Sequence, residues 1–281
     1  DNTTENVDAS LINNVSGTMT VKGNATLNHP NTKTINAKGG EVILESATII
    51  SDNHAIYAKG GTTNITGNVT IKASAADETA GTLTIAGGAI TKAENVSLPA
   101  PSGYTWTKVG NTGVLVKEDS AAVVNGVGYA TLAEAINAAG NGDTVTLLKD
   151  VKLDSLLEIR KDLTLDLGGK KLSRNRSVLD IYSNVTIQNG TIETTFADEG
   201  STAAVWVNNT AKLTVASDVT MSTTTNAYAL AFDQSCTAAE VTFKGTVTGG
   251  NGIAVNGLIT GSSNNKLTMD GANITVSGHG I

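Results

Sequence analysis

This sequence predicts a parallel β-helix, a chain wound into stacked coils of short strands, and three observations predict it. An apolar-Thr-apolar triplet recurs from one end of the chain to the other. The recurrences are separated by 23, 21 and 20 residues in the first half and by 18, 22, 28, 28 and 26 in the second. That is the length of one coil of three short strands, repeated as a solenoid. The 281 residues include 41 Thr, 27 Asn and 30 Gly, all poor helix formers, and only 3 Pro. Charged residues are 16% of the chain, against about 25% in a typical domain, so hydroxyls and amides must supply the polar surface.

The elements follow in order. Met19-Thr20-Val21 and Ala25-Thr26-Leu27 open the pattern, and Val42-Ile43-Leu44 with Ala47-Thr48-Ile49 repeats it. Asn64-Ile65-Thr66 with Val69-Thr70-Ile71, its copy counted from Thr63, and then Leu83-Thr84-Ile85, complete the first half. Each alternation sends the aliphatic residues inward and the threonine outward. Asn24, Asn68, Asn184 and Asn273 precede threonine strands, where the expectation is turns of unusual dihedral angle whose stacked amides form ladders. A third apolar element accompanies many copies, as at Ala55-Ile56-Tyr57, Leu179-Asp180-Ile181, Ala204-Val205-Trp206-Val207 and Leu230-Ala231-Phe232.

The pattern breaks at Leu98-Pro99-Ala100-Pro101-Ser102-Gly103. A hairpin is expected over 104–116, with Trp106 packed on the last coil, and Lys117-Glu118-Asp119-Ser120 reads as a linker. The boundary is placed near residue 118, giving a first β-helix with its closing hairpin over 1–117 and a second β-helix over 118–281. A second hairpin is expected to turn at Asn125-Gly126. Residues 131–139 read as a short capping helix, with Thr131 and Glu134 as its capping box, Leu132, Ala135, Ile136 and Ala139 on one face, and Gly140 at its end. The second solenoid then runs through Val145-Thr146-Leu147, Leu163-Thr164-Leu165, Val185-Thr186-Ile187, Leu213-Thr214-Val215, Val241-Thr242-Phe243 and Leu267-Thr268-Met269.

Gly128-Tyr129-Ala130-Thr131-Leu132-Ala133-Glu134-Ala135-Ile136, Gly142-Asp143-Thr144-Val145-Thr146-Leu147 and Leu163-Thr164-Leu165-Asp166-Leu167-Gly168-Gly169-Lys170 together resemble a run in right-handed parallel β-helix modules. These belong to the pectate-lyase-like superfold and occur in secreted or surface-attached bacterial proteins. The resemblance implies an all-β, right-handed solenoid and export. It implies no particular reaction, because this superfold hosts lyases, hydrolases, adhesins and spacers. Residues 1–15 show no helical lid, and the run Asn273–Ile281 parallels Thr48–Ile56, so the chain is expected to be an excerpt of a longer protein.

The net charge of −7, with 19 Lys+Arg against 26 Asp+Glu, argues against a nucleic-acid partner. No apolar run reaches the roughly 18–20 residues of a membrane span. Cys236 is the one cysteine, so an internal disulfide is excluded and no thiol pair is available for zinc. His29, His54 and His279 are scattered, and no metal or cofactor site is legible. Glu158, Arg160, Asp162, Asp166, Arg174, Arg176 and Asp180 form the nearest approach to a lyase cluster, and their mixed signs read as surface ion pairs. Gly278-His279-Gly280 lacks the paired carboxylates of a glycosidase, and His279 reads as a turn residue. Gly249-Gly250-Asn251-Gly252 lacks the acidic ligand of a calcium repeat.

One feature points to binding. Tyr182, Trp206 and Tyr228 fall on successive third strands, with Tyr57 at the matching place in the first half, and outward rings would form a platform for sugar faces. Its competitor is a covering loop such as 197–200. The functional expectation is a non-catalytic extracellular module, a rigid spacer or a glycan-binding adhesive surface of a larger bacterial protein, whose partner is a polysaccharide or a host or bacterial surface glycan. The alternative is a β-helix polysaccharide lyase or glycoside hydrolase.

Overall fold

The computed structural model describes residues 10–29, 33–51, 55–57, 60–73, 82–85, 91–94, 98–110, 112–195, 202–254 and 264–280. It is an all-β solenoid of about nine turns built from stacked parallel coils, with one short helix. The chain divides into two compact units, Asp1–Asp119 with Gly126–Gly128, and Ser120–Asn125 with Tyr129–Ile281.

In the first unit Thr18–Val21, Glu41–Ser51 and Thr62–Ala73 lie side by side in parallel, with Thr82–Ile85 and Thr91–Glu94 beyond them. Identical positions stack: Thr26, Thr48 and Thr70 share one column, and Leu27, Ile49 and Ile71 the next. Ile49 and Ile71 are fully buried. The antiparallel hairpin Tyr104–Val109 and Thr112–Lys117 pairs with Thr91–Glu94 and so covers the open edge of the last strand. Trp106 and Tyr104 pack, partly buried, against this core.

In the second unit Ala122–Val124 runs antiparallel to Asp143–Leu147, and the chain then turns with positive φ at Asn125 (52°) and Gly126 (82°) into Val127–Tyr129. Six threonines, Thr144, Thr164, Thr186, Thr214, Thr242 and Thr268, then follow one another in register on six adjacent strands; the expected first member, Thr146, is instead buried two residues further on, opposite Asp166. The flanking inward column of Val145, Leu165, Ile187, Val215 and Phe243 is buried. A third-strand column of Ile159, Ile181, Val207 and Phe232 is equally enclosed. Parallel, in-register stacking makes each hydrophobic side chain the lid of the one before it, which is why the repeat tolerates swaps among Val, Leu, Ile and Phe.

The helix is Leu132–Ala138, and its capping box is complete: the Glu134 N–H donates to Thr131 Oγ1 at 3.2 Å and the Thr131 N–H to Glu134 Oε2 at 3.1 Å. Leu132, Ala135 and Ile136 are its buried face. Its end differs from the expected glycine stop. Ala139 leaves the helix in extended geometry (ψ 141°), and the free carbonyls are taken by Lys161 from the following coil. Lys161 Nζ donates to Asn137 at 2.6 Å, to Ala139 at 2.8 Å and to Ile136 at 3.4 Å. A cation on the C-terminal carbonyls satisfies groups that a left-handed glycine cap would otherwise have bonded to following backbone N–H groups. Lys161→Met should therefore cost about 1 kcal/mol, read as a lower urea midpoint with an unchanged slope.

The asparagines also differ from expectation. Asn24 adopts positive φ (58°), but Asn68, Asn184 and Asn273 lie within strands, and the other left-handed positions are Asn125, Asn189 and Asn209. Their amides meet carboxylates on the preceding coil: Asn184 Nδ2 donates to Asp162 at 2.9 Å, Asn189 Nδ2 to Asp166 at 3.0 Å, and Asn64 Nδ2 to Glu41 at 2.7 Å. An amide over a carboxylate gains a charge-assisted bond that an amide over an amide lacks.

Candidate functional site

The register of the third strands decides which side chains meet. Leu157–Ile159, Leu179–Ile181, Thr202–Val207 and the end of Val219–Phe232 stack in that order, with Ile181 opposite Val207 and Val207 opposite Phe232. One residue before this inward column, Glu158, Asp180, Trp206 and Ala231 form an outward column. One residue after it come Arg160, Tyr182, Asn208 and Asp233, as the N–H groups of Tyr182, Asn208 and Asp233 donate to Ile159, Ile181 and Val207. Two outward columns flank one buried one.

Between them lies a groove of about 340 Å³. Tyr182 and Trp206 supply its rings, Asp180 and Asp233 its charge, and Asn208, Ser177, Ser235 and Leu156 the remaining lining. The indole is held in place: Trp206 Nε1–H donates to Ser177 Oγ at 3.0 Å, and Ser177 Oγ shares a 2.8 Å hydrogen bond with Thr202 Oγ1. Arg174 reinforces this support by donating from a guanidinium nitrogen to the Ser177 carbonyl at 2.7 Å. At the other side the Arg160 guanidinium lies 3.8 Å from the centre of the Tyr182 ring and donates to Glu158 at 2.8 Å.

Burial raises the pKa of Asp180 above its ordinary value of 3.8; the adjacent Asn208 amide pulls it back, and Glu158 and Asp233 raise it further against the smaller pull of Arg160. The Asn208 Nδ2 nevertheless reaches no partner at hydrogen-bonding distance and angle, and the residue is 6% exposed. The amide thus lowers the Asp180 pKa from just outside hydrogen-bonding geometry. Tyr182 is pushed up for the same reasons, burial first, then the negative charges of Asp180 and Glu158.

The sign for stability follows. A carboxyl that is harder to ionise in the native state keeps more protons than the unfolded chain, so stability falls as pH rises above about 3.8. Asp180→Asn should raise the thermal midpoint at pH 7, and the gain should vanish when the melt is repeated below the ordinary Asp range. A variant less stable than the parent at pH 7 would show that Asp180 holds the fold through a bond.

Among the three expected aromatics, Tyr182 and Trp206 share the groove but Tyr228 does not line it. Tyr228 stands opposite Ala203 and Asn251, and packs with Trp206 onto a small outer patch of Ala203, Ala231 and Ala254. Tyr57 pairs with Asn36 in the first unit and carries Lys33 at 4.1 Å from its ring centre. The expected charged cluster divides. Glu158, Arg160 and Asp180 gather at the groove, while Asp162 is bonded by Asn184, Asp166 by Gly168, Gln188 and Asn189, and Arg174 by Ser177. The backbone of Arg176 accepts from Thr194 Oγ1 at 2.9 Å.

Asp233, Asn208, Ser177 and Ser235 were not among the expected site residues. The signal that finds Asn208 and Asp233 is the shared offset of Asp180-x-Tyr182, Trp206-x-Asn208 and Ala231-x-Asp233 around Ile181, Val207 and Phe232; Ser177 and Ser235 carry no such spacing.

His279 follows the bend at Ser277–Gly278 and is held to the preceding coil: its N–H donates to Asn251 Oδ1 at 2.9 Å and its carbonyl accepts from Gly252 at 2.7 Å. Gly249–Ala254 belongs to a strand. Among the described residues no group of His, Cys, Asp or Glu is arranged to hold a metal ion, and no helix is long and apolar enough to cross a membrane. His54 and the loop 197–200 lie outside the described residues. Cys236 is buried, with Sγ donating to the Val207 carbonyl at 2.9 Å, and burial raises its thiol to about 11. A thiol held protonated in this way packs rather than attacks.

Comparison with family models, curated proteins and solved structures returns no match for this chain.

Proposed function

We propose that the chain is a non-catalytic extracellular β-helix module of a larger bacterial protein, a stiff spacer whose second unit binds glycan in the groove between Tyr182 and Trp206. The observation that carries this reading is the pairing of two aromatic rings with hydrogen-bonding side chains in one groove. Sugar rings present C–H faces to aromatics and hydroxyls to polar groups, so a site of this composition matches a saccharide. The fixed indole also favours binding, because a side chain already bonded to Ser177 loses little freedom when a ligand arrives. The repeat supports the spacer role, since each coil is braced by hydrogen bonds to the coils on either side. Export and a bacterial surface context rest on the resemblance carried by Gly128–Ile136, Gly142–Leu147 and Leu163–Lys170.

The test is calorimetric titration of the intact chain with a panel of oligosaccharides. Trp206→Ala should lower affinity about tenfold or more while far-UV dichroism stays unchanged. An intact affinity in that variant would remove the groove from consideration.

A second reading, glycoside hydrolysis, is favoured by one observation: Asp180 is held toward its protonated form beside the carboxylates of Asp233 and Glu158. A carboxyl whose ionisation is disfavoured beside further carboxylates is the kind of arrangement from which glycosidases build their acid. Release of reducing ends from a bound oligosaccharide, lost in Asp180→Asn, would establish it.

A further inference from the structure

The groove has a charge preference as well as an aromatic one. Asp180 and Asp233 line it, and Glu158 stands next to Asp180 in the same outward column. At Asp180 both carboxylates act more strongly than Arg160, the one cation it feels. Arg160 is itself already committed, bonded to Glu158 at 2.8 Å and laid 3.8 Å from the Tyr182 ring centre. Arg174 is turned to the Ser177 carbonyl behind the indole. An anionic sugar entering here would meet repulsion from Asp180 and Asp233 with no unspent cation to offset it.

A second, independent observation points to a ligand. Asn208 lines the groove, is more than nine-tenths buried, and keeps its Nδ2 donor without a partner. A buried donor left unbonded is costly, and a turn of the Asn208 amide toward the groove would let it donate to a sugar hydroxyl seated there. The Arg160–Tyr182 contact shows what else the site prefers: a cation over an aromatic face, next to carboxylates.

Resting on the glycan-binding reading above, we propose that the groove selects glycans bearing free amino groups, with the ammonium placed against Asp180 and Asp233 and the sugar ring on Trp206. Arg160 acts as an internal stand-in that occupies the Tyr182 face until such a ligand competes for it. This choice is opposite to that of a uronate-binding surface, for which the cation would belong to the protein.

The experiment compares three probes on the intact chain at mildly acidic pH and low salt: a glucosamine tetramer, its fully N-acetylated counterpart, and tetragalacturonate. The glucosamine tetramer should bind about tenfold more tightly than the acetylated one, with tetragalacturonate weakest and the preference shrinking as salt is added. Asp180→Asn should erase the preference. Arg160→Gln should strengthen binding of the glucosamine tetramer, because it frees the Tyr182 face and removes a like charge, whereas a site for uronates would lose affinity in that variant. Equal binding of both glucosamine forms, or tighter binding of tetragalacturonate, overturns the amino-sugar preference while leaving the glycan reading intact. No binding of any probe, with unchanged Trp206 fluorescence, removes both.

Discussion

Phe232→Ala is expected to destabilise the second unit by about 3–5 kcal/mol. Phe232 is fully buried and follows Ile159, Ile181 and Val207 in their column. Its ring fills the space that Ile and Val fill on earlier coils, and truncation leaves a cavity that in-register strands cannot close. Relaxing into that space would require the strand carrying Val207 to shift, breaking its ladder to Leu179–Ile181 at the same time. The effect should appear as a fall in urea midpoint, with Phe232→Leu as a milder comparison at about 1 kcal/mol. Because Asp233 follows Phe232 and its N–H donates to the Val207 carbonyl, the cavity should also loosen the groove. A measured cost under about 1 kcal/mol would mean that the ring is not enclosed.

Gly249→Ala should be about as damaging, for a different reason. Gly249 has φ +116°, a conformation that L side chains rarely adopt, and a Cβ there would fall on the Thr223 carbonyl oxygen, with the carbonyl carbon at 2.8 Å. Thr223 cannot retreat. It is paired with Gly249 in the ladder, and its Oγ1 accepts from the Gly250 N–H at 3.1 Å and donates to the Asn251 carbonyl at 3.2 Å. Backbone strain and steric overlap together should cost about 2–4 kcal/mol. Gly271→Ala separates the two contributions. That residue also has positive φ (+72°), but nothing lies within 4 Å of its Cβ position, so it should lose only about 1 kcal/mol. Equal losses at the two sites would show that dihedral strain, and not the close approach of coils, governs Gly249.

The coil repeat was legible because it rests on local chemistry. Alternation around Thr164, Thr186, Thr214 and Thr242 places these residues outward, and the structure stacks them on consecutive strands. The capping box at Thr131 and Glu134 was legible for the same reason, since both partners lie within one turn. The helix end was not, because its cap is Lys161, more than twenty residues downstream and unmarked by any local motif. Left-handed asparagines were misplaced because amide position relative to a threonine says little about φ; Asn189 bends the chain within the strand Asn184–Thr194 and Asn209 turns it just after Thr202–Val207, whereas Asn184 and Asn273 begin strands.

The aromatic platform was only partly legible. Tyr182 follows the inward Ile181 by one residue, Trp206 precedes the inward Val207 by one, and Tyr228 precedes Phe232 by four. Similar spacing in sequence thus becomes three different columns once the inward residues set the register. The same register draws Asp233 and Asn208 to the rings from coils whose polar residues look unremarkable alone.

The sequence by itself determined the fold class, the outward threonines, the aliphatic interior and the capping box, because each follows from periodicity or from contacts a few residues apart. Only the tertiary structure decided the groove at Tyr182 and Trp206, its carboxylates and the helix's lysine cap. These depend on which residues of different coils come opposite one another, and that register is fixed by the packing of the buried columns, not by any neighbour in the chain.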